Sequence, residues 1–186
     1  MLDFQPPMLA RPGEVTITPW SEHSLGLALM RMGQTPTSAA WLAAGLVIYV
    51  PFRVAGPMVV TKLMLGIGSP NAGALCDIGI YDPNGNLLVS AGSTVPSVSV
   101  AMQVVDVADT VLARGTYYLA AVTDTIATLT IYRASPAAGI PQSLGLLEQA
   151  SVTLPLSTGA SPATFAKYTR ASIPLVGLQA HRGIGP

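Results

Sequence analysis

Charged residues are scarce in this chain. They make up 10% of its 186 positions, against about 25% in an ordinary soluble domain. Nine Lys and Arg balance nine Asp and Glu, so the formal net charge is zero. The basic residues are scattered from Arg11 to Arg182 with no block among them, which argues against a dedicated nucleic-acid surface. A single cysteine, Cys76, excludes an internal disulfide and gives no sign of an oxidising compartment. Two histidines, His23 and His181, lie near opposite ends, and no Cys/His spacing suits zinc. No Gly-x-Ser-x-Gly elbow places a nucleophile. No Gly-x-Gly-x-x-Gly turn places a dinucleotide. A long apolar run is also missing. Ala39–Val50, the longest, has 12 residues before Pro51 and Arg53, short of the roughly 20 a spanning helix needs. The first 15 residues hold Asp3 and the Pro6-Pro7 pair and lack the basic and apolar regions of a signal peptide.

Apolar side chains are what the sequence does have, at 50% of positions with a mean hydropathy of +0.51. With so little charge, such a chain is expected to associate and to have its surface covered by neighbours.

The most informative stretch is Ala74–Asp109. Apolar residues alternate with small or polar ones through much of it, as a half-buried antiparallel sheet requires. Asp82-Pro83-Asn84-Gly85 punctuates it as a hairpin turn, with proline at the second position and glycine at the exit. Strands are predicted over Leu46–Phe52, Met58–Ile67, Ala74–Tyr81, Asn86–Ala91, Val98–Val107, Thr116–Val122 and Ala127–Arg133. Their short, regular spacing predicts an all-β fold, an antiparallel β-sandwich or jelly roll of about seven to eight strands.

Three zones follow. Residues 1–45, rich in proline and glycine, are expected to form an extended arm, with a short strand at Glu14–Thr18 and two helical turns at Leu25–Met32. Residues 46–133 are the core. Residues 134–186 return to loop chemistry, with Ala150–Leu156 and Ser172–Leu178 each expected as an edge strand or as a strand donated to a neighbour. Within the arm, Trp20, Leu25, Leu27, Leu29 and Trp41 are the candidate partner-binding residues, because an apolar anchor on an arm packs against a neighbour. Catalytic, cofactor and metal residues are expected to be absent. Asp82 and Asn84 have the oxygen chemistry for calcium, but capping of their own turn is the commoner use. Cys76 shares a strand face with Ile78 and Ile80 and reads as a buried small hydrophobe. Tyr117 and Tyr118, being adjacent, must point to opposite faces.

Three segments together carry a resemblance: Trp41–Val54, the GIYDPNGNLLVSAGS run Gly79–Ser93, and Val104–Ala120. They resemble a β-sandwich module of structural proteins in tailed bacteriophages, over roughly residues 41–133. Ile173–Leu178 is similar to the closing segment of such proteins. The resemblance implies a virion component in many copies; the neutral, charge-poor composition, the compact sandwich and the proline-rich arms add the expectation of a capsid decoration protein on the particle surface. Its partners would be the major capsid protein or neighbouring subunits and, by analogy, two further copies in a trimer. It brings no catalytic residue and no cofactor, membrane or nucleic-acid contact. The alternative is a tail or fibre-tip module that binds host surface glycans through an exposed tyrosine and loop Asp/Asn groups.

Overall fold

The computed structural model describes residues 14–17, 35–96, 101–125, 129–137, 139–157 and 166–182. These residues form two antiparallel sheets. Thirteen strands can be named: β1 (Glu14–Ile17), β2 (Thr37–Ala40), β3 (Val47–Val54), β4 (Met58–Ser69), β5 (Cys76–Tyr81), β6 (Leu87–Ser90), β7 (Ala101–Leu112), β8 (Gly115–Thr123), β9 (Thr130–Ala134), β10 (Leu147–Gln149), β11 (Ala166–Lys167), β12 (Ile173–Pro174) and β13 (Val176–Arg182). One turn of helix, α1 (Ile140–Ser143), precedes β10.

The first sheet has seven strands in the order β1-β13-β4-β9-β12, with β2 paired to β9 and β7 paired to β4. The second has six, in the order β11-β10-β3-β8-β5-β6. Alternation decides which side chains meet between them. Val60, Leu63, Leu65 and Ile67 of β4 share one buried cluster with Ile48, Val50 and Phe52 of β3 and with Ile78 and Ile80 of β5. Burying each such aliphatic side chain contributes about 1.5–3 kcal/mol, so this shared layer is the main source of the fold's stability. Cys76 lies in the same cluster with no exposed surface. Burial pushes its thiol up to about 11, which leaves it protonated and inert at neutral pH.

The expected strands between 46 and 133 correspond to β3–β9. The zones on either side are less separate than their composition suggests. β1 pairs with β13 and β2 with β9, so both described strands of residues 1–45 are built into the first sheet. The closing segment is not at an edge: β13 lies between β1 and β4 and buries Val176, Leu178 and Ala180 completely. Ala150–Leu156, expected as a strand, is irregular; the strand falls just before it, at β10. Pro155 has no N–H to give to a ladder. Two of the segment's amides go elsewhere, Val152 N–H to the Gly45 carbonyl and Leu156 N–H to the Asp77 carboxylate. The helix expected at Leu25–Met32 lies outside the described residues.

The hairpin turn is fold chemistry. Asp82 Oδ1 accepts from the amides of Asn84 (2.8 Å) and Asn86 (2.9 Å), and Oδ2 accepts from Asn86 Nδ2 (2.8 Å). Burial, slight here, works upward on this carboxyl, but the hydrogen bonds from Asn86 and Asn84 outweigh it and hold it below its ordinary range. The oxygens that calcium would need are occupied by the turn itself. Asp82→Ala is expected to lower stability by about 1 kcal/mol, measured by urea denaturation, and to leave the far-UV spectrum unchanged.

Candidate interaction surfaces

Each sheet has a second face, and the chain treats the two differently. On β5, Asp77, Gly79 and Tyr81 alternate with the core residues and point away from the other sheet. This face of the six-stranded sheet is roofed by residues 150–157. Val47, Tyr49, Tyr81, Ala120, Val122 and Leu156 form a second buried cluster there, with Val152 and Leu154 packed against it. The ring of Tyr49 meets that of Tyr81 edge-on, with centroids 5.4 Å apart.

Four contacts hold the roof and the end of β10 that leads into it. Gly45 stands at φ +65°, and a β-carbon there would come within 2.7 Å of the Val152 carbonyl oxygen. Only glycine allows this backbone approach together with the left-handed conformation. Tyr49 OH donates to Gln149 Oε1 (2.8 Å) and Tyr81 OH to the Ser157 carbonyl (3.0 Å). Burial raises the pKa of both phenols, Tyr81 to about 12, so both remain donors. The fourth contact is Asp77. It has no exposed surface, and its Oδ2 takes the Leu156 amide at 2.7 Å. Ser90 Oγ lies 2.8 Å from both carboxylate oxygens and itself accepts the Gly92 amide at 2.9 Å. Burial raises the Asp77 pKa, and hydrogen bonds from Leu156, Ser90, Ile78 and Gly92 only partly offset this.

Beside the roof lies a cleft of about 230 Å³, lined by Tyr49, Tyr81, Gln149, Ser151, Thr153 and Ser157 among others. It offers hydroxyls and amides. The two tyrosine rings are each 1% exposed, so they present no face on which a sugar would stack.

Among the described residues the outer face of the seven-stranded sheet is less covered, and around the β4–β7 pair it is largely apolar. Met64 and Gly66 of β4 alternate with the core residues Leu63, Leu65 and Ile67, and are paired with Val104 and Met102 of β7. The side chains of Leu175 and Tyr132 come within 3.2 Å of where a β-carbon on Gly66 would sit. Met102 is 37% exposed, Val104 50% and Val111 71%. An ion pair crosses this face, Lys62 Nζ to Asp106 Oδ1 at 3.4 Å. At such exposure it is worth at most about 1 kcal/mol.

The anchors expected from the sequence are distributed differently. Trp20, Leu25, Leu27 and Leu29 lie outside the described residues. Trp41 is corrected from arm anchor to core residue: it is 3% exposed, belongs to the main cluster, and donates from Nε1 to the Leu46 carbonyl at 2.9 Å. It precedes a tight turn that carries the chain into β3 and folds the ring back under it. Tyr117 and Tyr118 do point apart; Tyr117 packs against the main cluster beside Phe52, and Tyr118 against the second one. His181 is exposed on β13. Among the described residues no group of three His, Cys, Asp or Glu is placed to hold a metal, and no helix is long and apolar enough to cross a membrane. The role of Asp77 was hidden in the sequence. The alternation puts it opposite Ile78, but nothing local signals that residues 150–157 cover that side. No family model, curated protein or solved structure matches the chain.

Proposed function

We propose that this chain is a non-enzymatic structural subunit of a bacteriophage particle: a capsid decoration protein, folded as a β-sandwich of the jelly-roll type, that lies on the particle surface as a homo-oligomer. The observation that carries the reading is the exposure of Met102, Val104 and Val111 along β7, in a chain with only 10% charged residues. Exposed apolar sheet surface of this kind is costly in a free monomer and is stabilised when a neighbour covers it. The core shared by both sheets supports the sandwich. The resemblance of residues 41–133 to phage structural modules supports the virion setting, and the charge-poor composition favours an assembly neighbour such as the major capsid protein.

The test is to add purified, labelled protein to particles that lack it and image them. Saturable label over the head is the expected result. Label at the tail tip with binding to a host polysaccharide would replace decoration by the glycan-binding alternative, and no binding to any part of the particle would sink both.

A further inference from the structure

Where the two sheets meet at the β9 and β10 rim, a guanidinium stands without a carboxylate. Arg133 follows Ile131 by two positions on β9 and so shares its core-facing side. Glu148 of β10 stands opposite Ile48 of β3 and faces inward from the other sheet. Tyr168–Ser172 crosses between them, from β11, which pairs with β10, to β12, which pairs with β9. The charges of Glu148, Arg170 and Arg133 all act on the buried Tyr168 phenol. Glu148 nevertheless gives neither oxygen to Arg133. Its Oε1 accepts from Thr169 Oγ1 at 3.0 Å and its Oε2 from Arg170 Nε at 3.1 Å. Among the described residues Arg133 makes no ion pair. Its hydrogen bond from Nη1 to Ser172 Oγ is long, at 3.4 Å, against the usual range of about 2.7–3.2 Å. Its Nε is buried and has no hydrogen-bond partner. A buried donor in that state is destabilising, and native folds rarely keep one without a reason.

We propose that Arg133 is a binding site for a carboxylate, at the rim bordered by Ser172, Arg170 and Glu148. The planar fork of a guanidinium matches the two oxygens of a carboxylate, one on Nε and one on a neighbouring Nη. Charge selects the ligand. Arg133 and Arg170 against Glu148 leave one net positive charge here, which a monoanion neutralises. A phosphate dianion would bring its second charge against Glu148, a like-charge contact. Arg133 is partly exposed, and its weak contact with Ser172 leaves it free to move outward and present Nε to a ligand. Two sources share this chemistry: a small organic acid, and an Asp or Glu side chain of a neighbouring protein chain.

Sodium acetate is the probe, titrated at neutral pH into the full, nitrogen-labelled chain, with sodium chloride keeping the ionic strength constant. The Arg133 Nε–H resonance, assigned by its loss in Arg133→Gln, should move saturably with acetate and stay fixed in chloride alone. Half-saturation is expected at roughly millimolar acetate. Without acetate, Arg133→Gln should melt no lower than the wild type, because it removes a donor that has no partner; acetate should raise only the wild-type melt. Should Arg133→Gln not fold, Arg133→Lys, which lacks Nε, serves in its place. Sedimentation equilibrium separates the two sources. With a small acid as the ligand, the variant keeps the wild-type mass. With a neighbour's side chain, the variant has a lower mass at an unchanged melt. A resonance that acetate does not move, together with an unchanged mass in the variant, would overturn the site. Inorganic phosphate acting at lower concentration than acetate would overturn the carboxylate assignment. Both results would leave the assembly reading standing, since the exposed residues of β7 that carry it lie elsewhere.

Discussion

Trp41→Ala is expected to lower the stability of the isolated chain by about 3–5 kcal/mol. The indole is 3% exposed and packed in the cluster that joins the two sheets, so truncation loses its transfer free energy and leaves a cavity. It also strips the Leu46 carbonyl of the 2.9 Å hydrogen bond from Nε1. Trp41→Phe separates the two contributions. It keeps most of the volume and loses the hydrogen bond, and should cost about 1–2 kcal/mol. Guanidinium denaturation of both variants measures this. The outcome distinguishes a core residue from a partner anchor: loss of an anchor would leave the denaturation midpoint in place and weaken only the association. A midpoint unchanged in Trp41→Ala would return Trp41 to the interface.

Asp77→Ala is expected to cost roughly 2–4 kcal/mol and to release the 150–157 roof. It leaves the Leu156 amide and the Ser90 hydroxyl without the oxygens they meet now, and each buried polar group so orphaned costs about 1–3 kcal/mol. Hydrogen exchange at the Leu156 amide, and faster proteolysis within 150–157, would report the release. Unchanged protection at Leu156 would mean that Asp77 does not hold the roof.

The same carboxyl gives a pH dependence of definite sign. Burial raises its pKa in the folded chain above the value of about 3.9 that it has when unfolded. The fold therefore favours the protonated form. That contribution is fully present below about pH 3.9 and is lost as pH rises through the higher, folded value. Asp82 works the other way, since its lowered pKa contributes stability above the ordinary carboxylate range that is lost on acidification. Comparison with Asp77→Asn isolates the first effect, because the amide cannot ionise. The wild type should gain stability relative to Asp77→Asn as pH falls toward 4 and lose it toward neutrality. A stability difference that stays flat across that range would show that burial does not control this carboxyl.

Local pattern carried much of the fold. The alternation over Cys76–Tyr81 placed Cys76, Ile78 and Ile80 on one face, and the structure buries all three in the shared core. Asp82-Pro83-Asn84-Gly85 announced its turn because each hydrogen bond that builds it spans at most four residues. Within β7, the alternation of Met102 and Val104 with Gln103 and Val105 marked which residues share a face, and the register with β4 follows it. Where composition was read in place of pairing, the reading failed. Trp41 looked like part of an arm because its neighbours are rich in proline and glycine. Ser172–Leu178 looked like an edge because loop residues precede it, whereas its second half opens β13, which lies between two strands.

The sequence by itself determined that this is an all-β, antiparallel chain with almost no charge to keep it apart from its neighbours, and it marked which residues share a strand face. Only the tertiary structure decided which of those faces are covered. Asp77 meets the Leu156 amide across 79 positions, Gly45 meets Val152, and β13 returns to pair with β4. A period of two says which side a side chain takes and is silent about what lies there. That depends on contacts between segments far apart in the chain, made where backbone donors and apolar area find their partners.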